Sequence, residues 1–492
     1  MLKSLPDYMI ENERIRYKRG ILAIILLLGM VMGITRGFAQ QKFSLQTAVD
    51  YAVNNNLSLK ELRLNRALDD DILLQSKLNL LPNLTGNLSR FNSYGRSINP
   101  TTNTYFNNNT SYDQGQLNSQ VVLFGGFQKL NLIKQNRYQL LADQNSLEKS
   151  KNDLILNVVT YYIAILSYQD LIVSGKDKLE VSRQTLEFDQ KKLEAGTITE
   201  ADYLNDKASY DQDALNLTNY QNNLDISKTT LATYLNLDPA KPFEVDRVDS
   251  LDISKIRTDY DPLDVYTKAS GNLPDIKAAE NSTLAYQKNL AVAKGGLSPV
   301  LTLGGSYAAV YSPNYTTPTQ TLTGTYTNTG LITQNSKDQV LQPVVNTTYS
   351  IIPFSDQLKN NITKQLYLTL SLPIFNGGQQ RLAVKRANYL YQKSVLDKEI
   401  TKANLNKTIV QAIIDLRAAE KTYYASQSAS ESSKKAFYFS QIRYNVGLLN
   451  SLDYNLAKSK YALAEATAIQ NKYNYLFKAK VIDFYLGNPI TL

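Results

Sequence analysis

The sequence predicts a mainly α-helical chain that also carries β-strands of the kind that build a membrane barrel, organised as one unit repeated twice. Three observations predict it. Two stretches of nearly seventy residues, 127–195 and 379–446, contain no proline and only one glycine, Gly175, between them. Four shorter stretches alternate apolar and polar residues with period two. The two halves of the chain also match one another at a separation near 251 residues.

The repeat rests on an ordered set of matches. Phe124-Gly125-Gly126-Phe127-Gln128-Lys129-Leu130 corresponds to Phe375-Asn376-Gly377-Gly378-Gln379-Gln380-Arg381-Leu382 with one insertion. Gly196, Asp202, Tyr203, Lys207 and Tyr210 correspond without a gap to Gly447, Asp453, Tyr454, Lys458 and Tyr461. Tyr234-Leu235 and Tyr485-Leu486 keep the same separation, while upstream Asn56-Leu57 pairs with Asn272-Leu273 and Pro82 with Pro299 at a shorter one. The expected organisation is a first repeat over 40–238, a linker over 239–261 and a second repeat over 262–492.

Each repeat reads helix, two strands, long helix, tight turn, helix. Residues 45–81 form a helical pattern closed by Pro82, and 263–298 does the same with Pro274 breaking it early. The long helices, 127–195 and 379–446, would each reach roughly 100 Å at the α-helical rise, against about 11–12 residues for an average globular helix. Ile133, Leu140, Leu147, Leu154, Tyr161 and Tyr168 recur every seven residues, as do Leu382, Tyr389, Leu396, Ala403 and Val410. That spacing makes a seam for a neighbouring helix. The closing helices are expected over 199–237 and 451–486, with Gly196 and Gly447 at the turns. Two shorter helices can stack end to end along one long one.

The strands are expected over 83–92, 115–124, 300–311 and 364–374. Leu366, Leu368, Leu370, Leu372 and Ile374 alternate with Gln365, Tyr367, Thr369, Ser371 and Pro373. Such alternation over ~10 residues suits a strand with one face on lipid and the other on a watery lumen. Segments 93–115 and 312–364, rich in Asn, Thr, Ser, Tyr and Gly, read as external loops. Four strands cannot close a barrel, for which about eight is the practical minimum, and open edges are forbidden in lipid. The barrel must therefore be shared: two chains give eight strands, three give twelve, and composition does not choose.

Arg14, Arg16, Lys18 and Arg19, the apolar run 20–34 and Gly37-Phe38-Ala39 read as a signal peptide over 1–39, cleaved after Ala39. The 492 residues include no Cys, His or Trp, which excludes disulfides, thiolate or imidazole metal sites, and His-dependent catalysis. The 34 Tyr against 14 Phe favour surfaces that meet both lipid and water. The net charge of +9 is spread without a basic block, so no nucleic-acid partner is expected. No catalytic motif, metal spacing or cofactor-binding fingerprint is present, so the chain reads as no enzyme and as needing no cofactor.

Phe124-Gly-Gly and Phe375-Asn-Gly-Gly at a strand-to-helix junction, with Val446-Gly-Leu-Leu-Asn-Ser-Leu-Asp453 at a helical turn, resemble the TolC-type outer-membrane efflux family over about residues 42–488. The resemblance implies a homotrimer in outer-membrane lipid, with a 12-stranded barrel continuing into a long α-helical coiled-coil barrel across the periplasm. It implies an exit duct of a tripartite efflux or type I secretion system. Its partners would be a periplasmic adaptor (membrane-fusion) protein and an inner-membrane pump of RND, ABC or MFS type. Carried over by motif position, the junction residues are Phe124, Gly125, Gly126, Phe375, Gly377 and Gly378. The adaptor-binding tip is Ala195, Gly196, Thr197, Val446, Gly447 and Leu448, with Thr197 departing from the apolar residue usual after the glycine. The periplasmic gate is Asp202 and Tyr444, as partners in a latch, with Asp453 in an acidic ring; Leu456 stands where the best-known member has a second aspartate. The competing classes are a surface adhesin or structural coiled coil, which predicts no barrel, and an autonomous porin, which has no need of such helices.

Overall fold

The computed structural model describes residues 41–98, 103–107, 110–247 and 253–488; the signal peptide expected over 1–39 lies outside them. In chain order, the first half contains β1 (Gln41–Phe43), α1 (Leu45–Asn55), α2 (Leu57–Leu78), β2 (Asn83–Ser93), β3 (Arg96–Ile98), β4 (Tyr105–Asn107), β5 (Thr110–Gly125), α3 (Gln128–Glu194) and α4 (Glu200–Leu235). Then come β6 (Phe243–Val245) and a 3-10 turn (Ile253–Lys255). The second half contains α5 (Pro262–Asn272), α6 (Pro274–Gly295), β7 (Val300–Tyr311), β8 (Thr316–Ile332), β9 (Gln339–Ile351), α7 (Phe354–Asn360), β10 (Thr363–Ser371), α8 (Gln379–Asn445) and α9 (Ser451–Leu486).

The long helices α3 and α8 have 67 residues each, and α4 and α9 have 36 each. Equal lengths in the two halves match the duplicated sequence. The helix expected over 45–81 is instead two. Asn56 ends α1, its side-chain oxygen accepts from the Leu59 backbone N–H at 3.2 Å, and its Nδ2 donates to the Tyr234 carbonyl at 3.1 Å. A single side chain therefore caps the second helix and ties the break to α4. In the second half Pro274 opens α6, where its missing N–H costs nothing.

The chain divides into two compact units. One gathers Arg63–Leu147 and Pro274–Ala403 and holds the main sheet, an antiparallel four-stranded array in the order β10-β7-β5-β2. Its two hairpins meet through β5 and β7, with a register shift between Val122 and Phe124. The end strands β2 and β10 are exposed along their whole lengths, with Leu88 91% and Leu366 81% exposed. Strand β5 starts earlier than 115 because Thr110–Asp113 pairs with Arg90–Ser93. Strand β10 ends at Ser371, short of 374, next to Pro373, which has no N–H for a ladder. Neither segment expected to be plain loop is one: 96–98 pairs with 105–107, and β8 and β9 form a Thr-rich hairpin.

The other unit gathers the residues up to Leu62, Glu148–Leu273 and Asn404 onward. Val265 and Ala269 of α5 pack with Ile409, Ile413 and Leu416 of α8 and with Tyr475 and Ile482 of α9. The segment 239–261 is more than a linker, because β6 pairs in parallel with β1. The Tyr162 hydroxyl of α3 lies 3.1 Å from the Phe43 carbonyl and 2.9 Å from that of Asp246, and burial pushes its pKa up to about 12. Helix α3 is long and apolar enough to cross a bilayer by length and composition alone. Val158, Val159, Ile165 and Leu166 within it are buried in the protein instead.

Candidate functional site

The residues expected to carry function fall into two places, one in each unit. In the sheet-containing unit, a side chain is excluded by crowding at the first strand-to-helix junction and disfavoured by positive φ alone at the second, where Gly377 and Gly378 face open space. Gly126 has φ +60°, and a Cβ there would stand 2.4 Å from the Gly295 carbonyl oxygen and 2.6 Å from Ser298 Cβ. Gly377 and Gly378 have φ +65° and +78°. The rings of Phe124 and Phe127 meet edge to face at 5.6 Å, and these two and Phe375 are all exposed. Gly125 does not share the positive φ of its neighbour.

In the helical unit, the α3–α4 and α8–α9 turns are built alike. Helix α3 ends with the Gly196 N–H on the Leu193 carbonyl at 2.9 Å and the Thr197 N–H on the Lys192 carbonyl at 2.9 Å. Helix α8 ends with Gly447 on Tyr444 at 3.1 Å and Leu448 on Arg443 at 2.8 Å. Gly196 and Gly447 take φ +70° and +76°, the left-handed residue of a Schellman C-cap. Ala195, Thr197, Val446 and Leu448 are exposed, so each turn presents its side chains to solvent. Thr197 also donates its hydroxyl to the Lys192 carbonyl at 3.0 Å, which accounts for a polar residue after the glycine.

The helices that follow are capped. Thr199 and Asp202 form a capping box: the Asp202 N–H donates to Thr199 Oγ1 at 3.2 Å, and Asp202 Oδ2 accepts from the Thr199 N–H at 3.2 Å. Asn450 caps α9 through the Asp453 N–H at 2.8 Å, and its Nδ2 donates to Asp453 Oδ2 at 3.0 Å. Within the chain, Asp202 and Tyr444 are therefore not joined. The Tyr444 hydroxyl donates to Asp189 Oδ2 at 2.5 Å instead. Asp202 lies at the helix start, where its charge also favours the helix dipole.

Behind the turns lies a polar seam that motif matching did not single out. Asp189 and Asp206 are buried side by side with Tyr444, Ser451 and Asn455. Burial first, and the neighbouring Asp189 second, push the Asp206 carboxyl up to about 6 against hydrogen bonds from Asn455 and Ser451. Burial and the bond to Asp189 push the Tyr444 phenol above its ordinary value. One heptad further, Lys458 pairs with Asp213 at 3.0 Å and donates to Ser209 Oγ at 2.9 Å. Beyond that, Lys178 and Ser174 bond Glu465, which also accepts from the Tyr461 hydroxyl at 2.7 Å. Burial alone would raise Glu465, but these bonds outweigh it and hold it below the ordinary carboxylate value. The sequence signal was present: 206 and 213, 182 and 189, and 451, 458 and 465 are each seven apart. A heptad search restricted to apolar residues passes over them. Among the described residues no group of His, Cys, Asp and Glu could hold a metal ion.

The family model for outer membrane efflux proteins matches residues 48–237 and 265–488. The chain belongs to the outer membrane efflux protein family. The two matched segments correspond to the two halves of the duplication. Among curated proteins, it is 23% identical over 448 residues to toxin and drug export protein A of Aggregatibacter actinomycetemcomitans, covering 88% of this chain and 83% of that one. It is 22% identical over 344 residues to outer membrane protein TolC of Escherichia coli, covering 69% of this chain and 62% of that one. Among solved structures, a membrane protein from Pseudomonas aeruginosa superposes with a TM-score of 0.73 at 18% identity over 90% of each chain. The fold is thus that of a TolC-like outer-membrane channel. Family members are channel proteins of the outer membrane rather than enzymes, which sets aside the adhesin reading.

Proposed function

We propose that three copies of this chain assemble into a continuous duct, with twelve strands closing a barrel in outer-membrane lipid and the long helices forming an α-helical barrel below it. The observation that carries this reading is the four-stranded sheet with two free edges. Strands β2 and β10 each offer an unpaired row of N–H and C=O groups and bare leucines, among them Leu84, Leu88, Leu366 and Leu370. In hydrocarbon such edges are untenable, and pairing β10 of one copy with β2 of the next removes both. Three copies, rather than two, leave a barrel wide enough for a passage.

The same reading assigns the duct to a tripartite efflux or type I secretion system. The exposed turns Ala195-Gly196-Thr197 and Val446-Gly447-Leu448 would dock on a periplasmic adaptor, and an inner-membrane pump would supply the cargo. Tyr444 would act in closure through Asp189, while Asp202 and Asp453 would stay on their caps and set an acidic charge near the entrance. Export would depend on residues 1–39, removed after Ala39, which sequencing of the mature N-terminus reads directly. The test of assembly is a cysteine scan pairing β2 positions 83–93 with β10 positions 363–371. Disulfide-linked ladders ending at three copies, with conductance in planar bilayers, are expected. Crosslinks that stop at two copies, or none with a soluble monomer, would refute the duct.

A further inference from the structure

Three levels of the helical unit, one heptad apart, bury polar groups where a coiled coil ordinarily places apolar ones. Two of them neutralise their acid with a base: Asp213 meets Lys458, and Glu465 meets Lys178. The level next to the turns has one base for two acids: Lys192 pairs with Asp189 at 3.4 Å, and among the described residues no ion pair reaches Asp206. It buries two acids, Asp189 and Asp206, which are 0% and 3% exposed.

Helices α3, α4, α8 and α9 supply the groups around the pair. From α3, Lys192 Nζ approaches Asp189 Oδ1 at 3.4 Å from the partly exposed rim. From α8, Tyr444 donates to Asp189 Oδ2, and Arg443 points instead to the Leu448 carbonyl. From α9, Ser451 donates to Asp206 Oδ1 at 2.8 Å and Asn455 to the same oxygen at 2.5 Å. Tyr454 of α9 stacks on Tyr444 at 4.5 Å, and Lys458 is committed to Asp213 and Ser209. On α4 itself, Asp202 is held in its capping box. After all of these, Asp189 Oδ1 and Asp206 Oδ2 accept no hydrogen bond.

Lys192 offsets one charge at Asp189, but Asp206 has no counter-ion among the described residues, the two carboxylates repel one another, and each keeps one oxygen without a hydrogen bond. A single proton between them cures both faults, as in any carboxyl pair that cannot ionise twice at close range. We propose that Asp189 and Asp206 share one proton when the turn end of this unit is closed, and that its loss releases the Tyr444-bearing end of α8. The links are direct: Asp189 holds α3 to α8 through Tyr444, and Asp206 holds α4 to α9 through Ser451 and Asn455. Repulsion between the two acids strains both links at once. With Asp206 raised from 3.8 to about 6 in the packed form, the change falls between about pH 4 and 6. Because protonation favours the packed form, closure is firmest below about pH 4, loosens as pH rises to about 6 and changes no further above it. The consequence for passage rests on the proposed duct, whereas the proton pair itself does not.

Hydrogen exchange of the full-length protein, corrected for intrinsic rates, tests it at backbone amides 437–445. In the wild type their opening constant is expected to rise by up to about tenfold per pH unit between about pH 4 and 6, the slope of one released proton, and to level off above pH 6. Asp206→Asn supplies a permanent donor to Asp189, so its opening constant should stay within about twofold across that range; Asp189→Asn should do the same. A flat wild-type profile, or a slope that survives both substitutions, would overturn the proposal. So would a wild-type profile set by Na⁺, Mg²⁺ or Ca²⁺ concentration at constant pH, which would make the pair a cation site. Conductance measured alongside separates the two readings. A pH response without conductance upholds the pair and removes the duct, and conductance with flat exchange removes the pair alone.

Discussion

Replacing Lys458 with methionine removes the base that pairs with Asp213 in the seam. The two side chains are 6% and 11% exposed, and Nζ lies 3.0 Å from Oδ2. Methionine fills most of the lysine's volume, so the main effect is electrostatic. Asp213 keeps one hydrogen bond, from Ser182, and otherwise becomes an uncompensated buried charge. Breaking a buried ion pair by deleting one partner costs about 3–5 kcal/mol, whereas replacing both with apolar residues is close to neutral. A loss of that size multiplies the opening equilibrium by about 10²–10⁴. Native-state hydrogen exchange at pH 7.5 on amides 451–465 and 206–213 reads it directly. Lys458→Met alone should raise exchange by that factor, and Lys458→Met with Asp213→Leu should return to within about 1 kcal/mol of wild type. A single mutant within about 0.5 kcal/mol of wild type would refute the reasoning, because the pair would then be solvated and worth no more than a surface bridge.

Gly126→Ala should abolish folded, membrane-inserted protein, since its Cβ would overlap the Gly295 backbone at a left-handed φ; recovery of wild-type levels by heat-modifiable gel migration would contradict this. Gly447→Ala meets open space and only the left-handed strain of φ +76°, so it should cost about 1–2 kcal/mol while leaving assembly intact. Thermal unfolding checks the cost. Glu465 is held below its ordinary value, so its bonds to Lys178, Ser174 and Tyr461 stabilise the helical unit above the unfolded value near 4.5. That contribution is lost as pH falls through the lower folded value, and Lys178→Gln should flatten the acid limb of a stability-against-pH curve.

What was legible in the sequence was whatever is fixed by local chemistry. Proline and glycine punctuate the chain, and the long helices run Gln128–Glu194 and Gln379–Asn445 where 127–195 and 379–446 were expected. Period-two alternation located all four strands of the sheet, because it follows from the pleat alone. The break at Asn56 was not legible, since it depends on a hydrogen bond to a carbonyl 178 residues away. Nor was the hairpin of β8 and β9, whose strands are rich in Thr, Asn and Gln and exposed along most of their length, so no buried face marks them. At the turns, the glycines were legible as caps. The partner of Tyr444 was not: Asp202 closes a capping box with Thr199, which leaves Asp189, on a different helix, to receive the hydroxyl.

The central claim is that one chain supplies a sheet with two open edges, which only further copies can close. Native mass spectrometry of the mature protein released from detergent micelles tests it most directly. A particle with three times the mass of the chain is expected; a single copy, or a closed pair, would contradict the three-copy barrel.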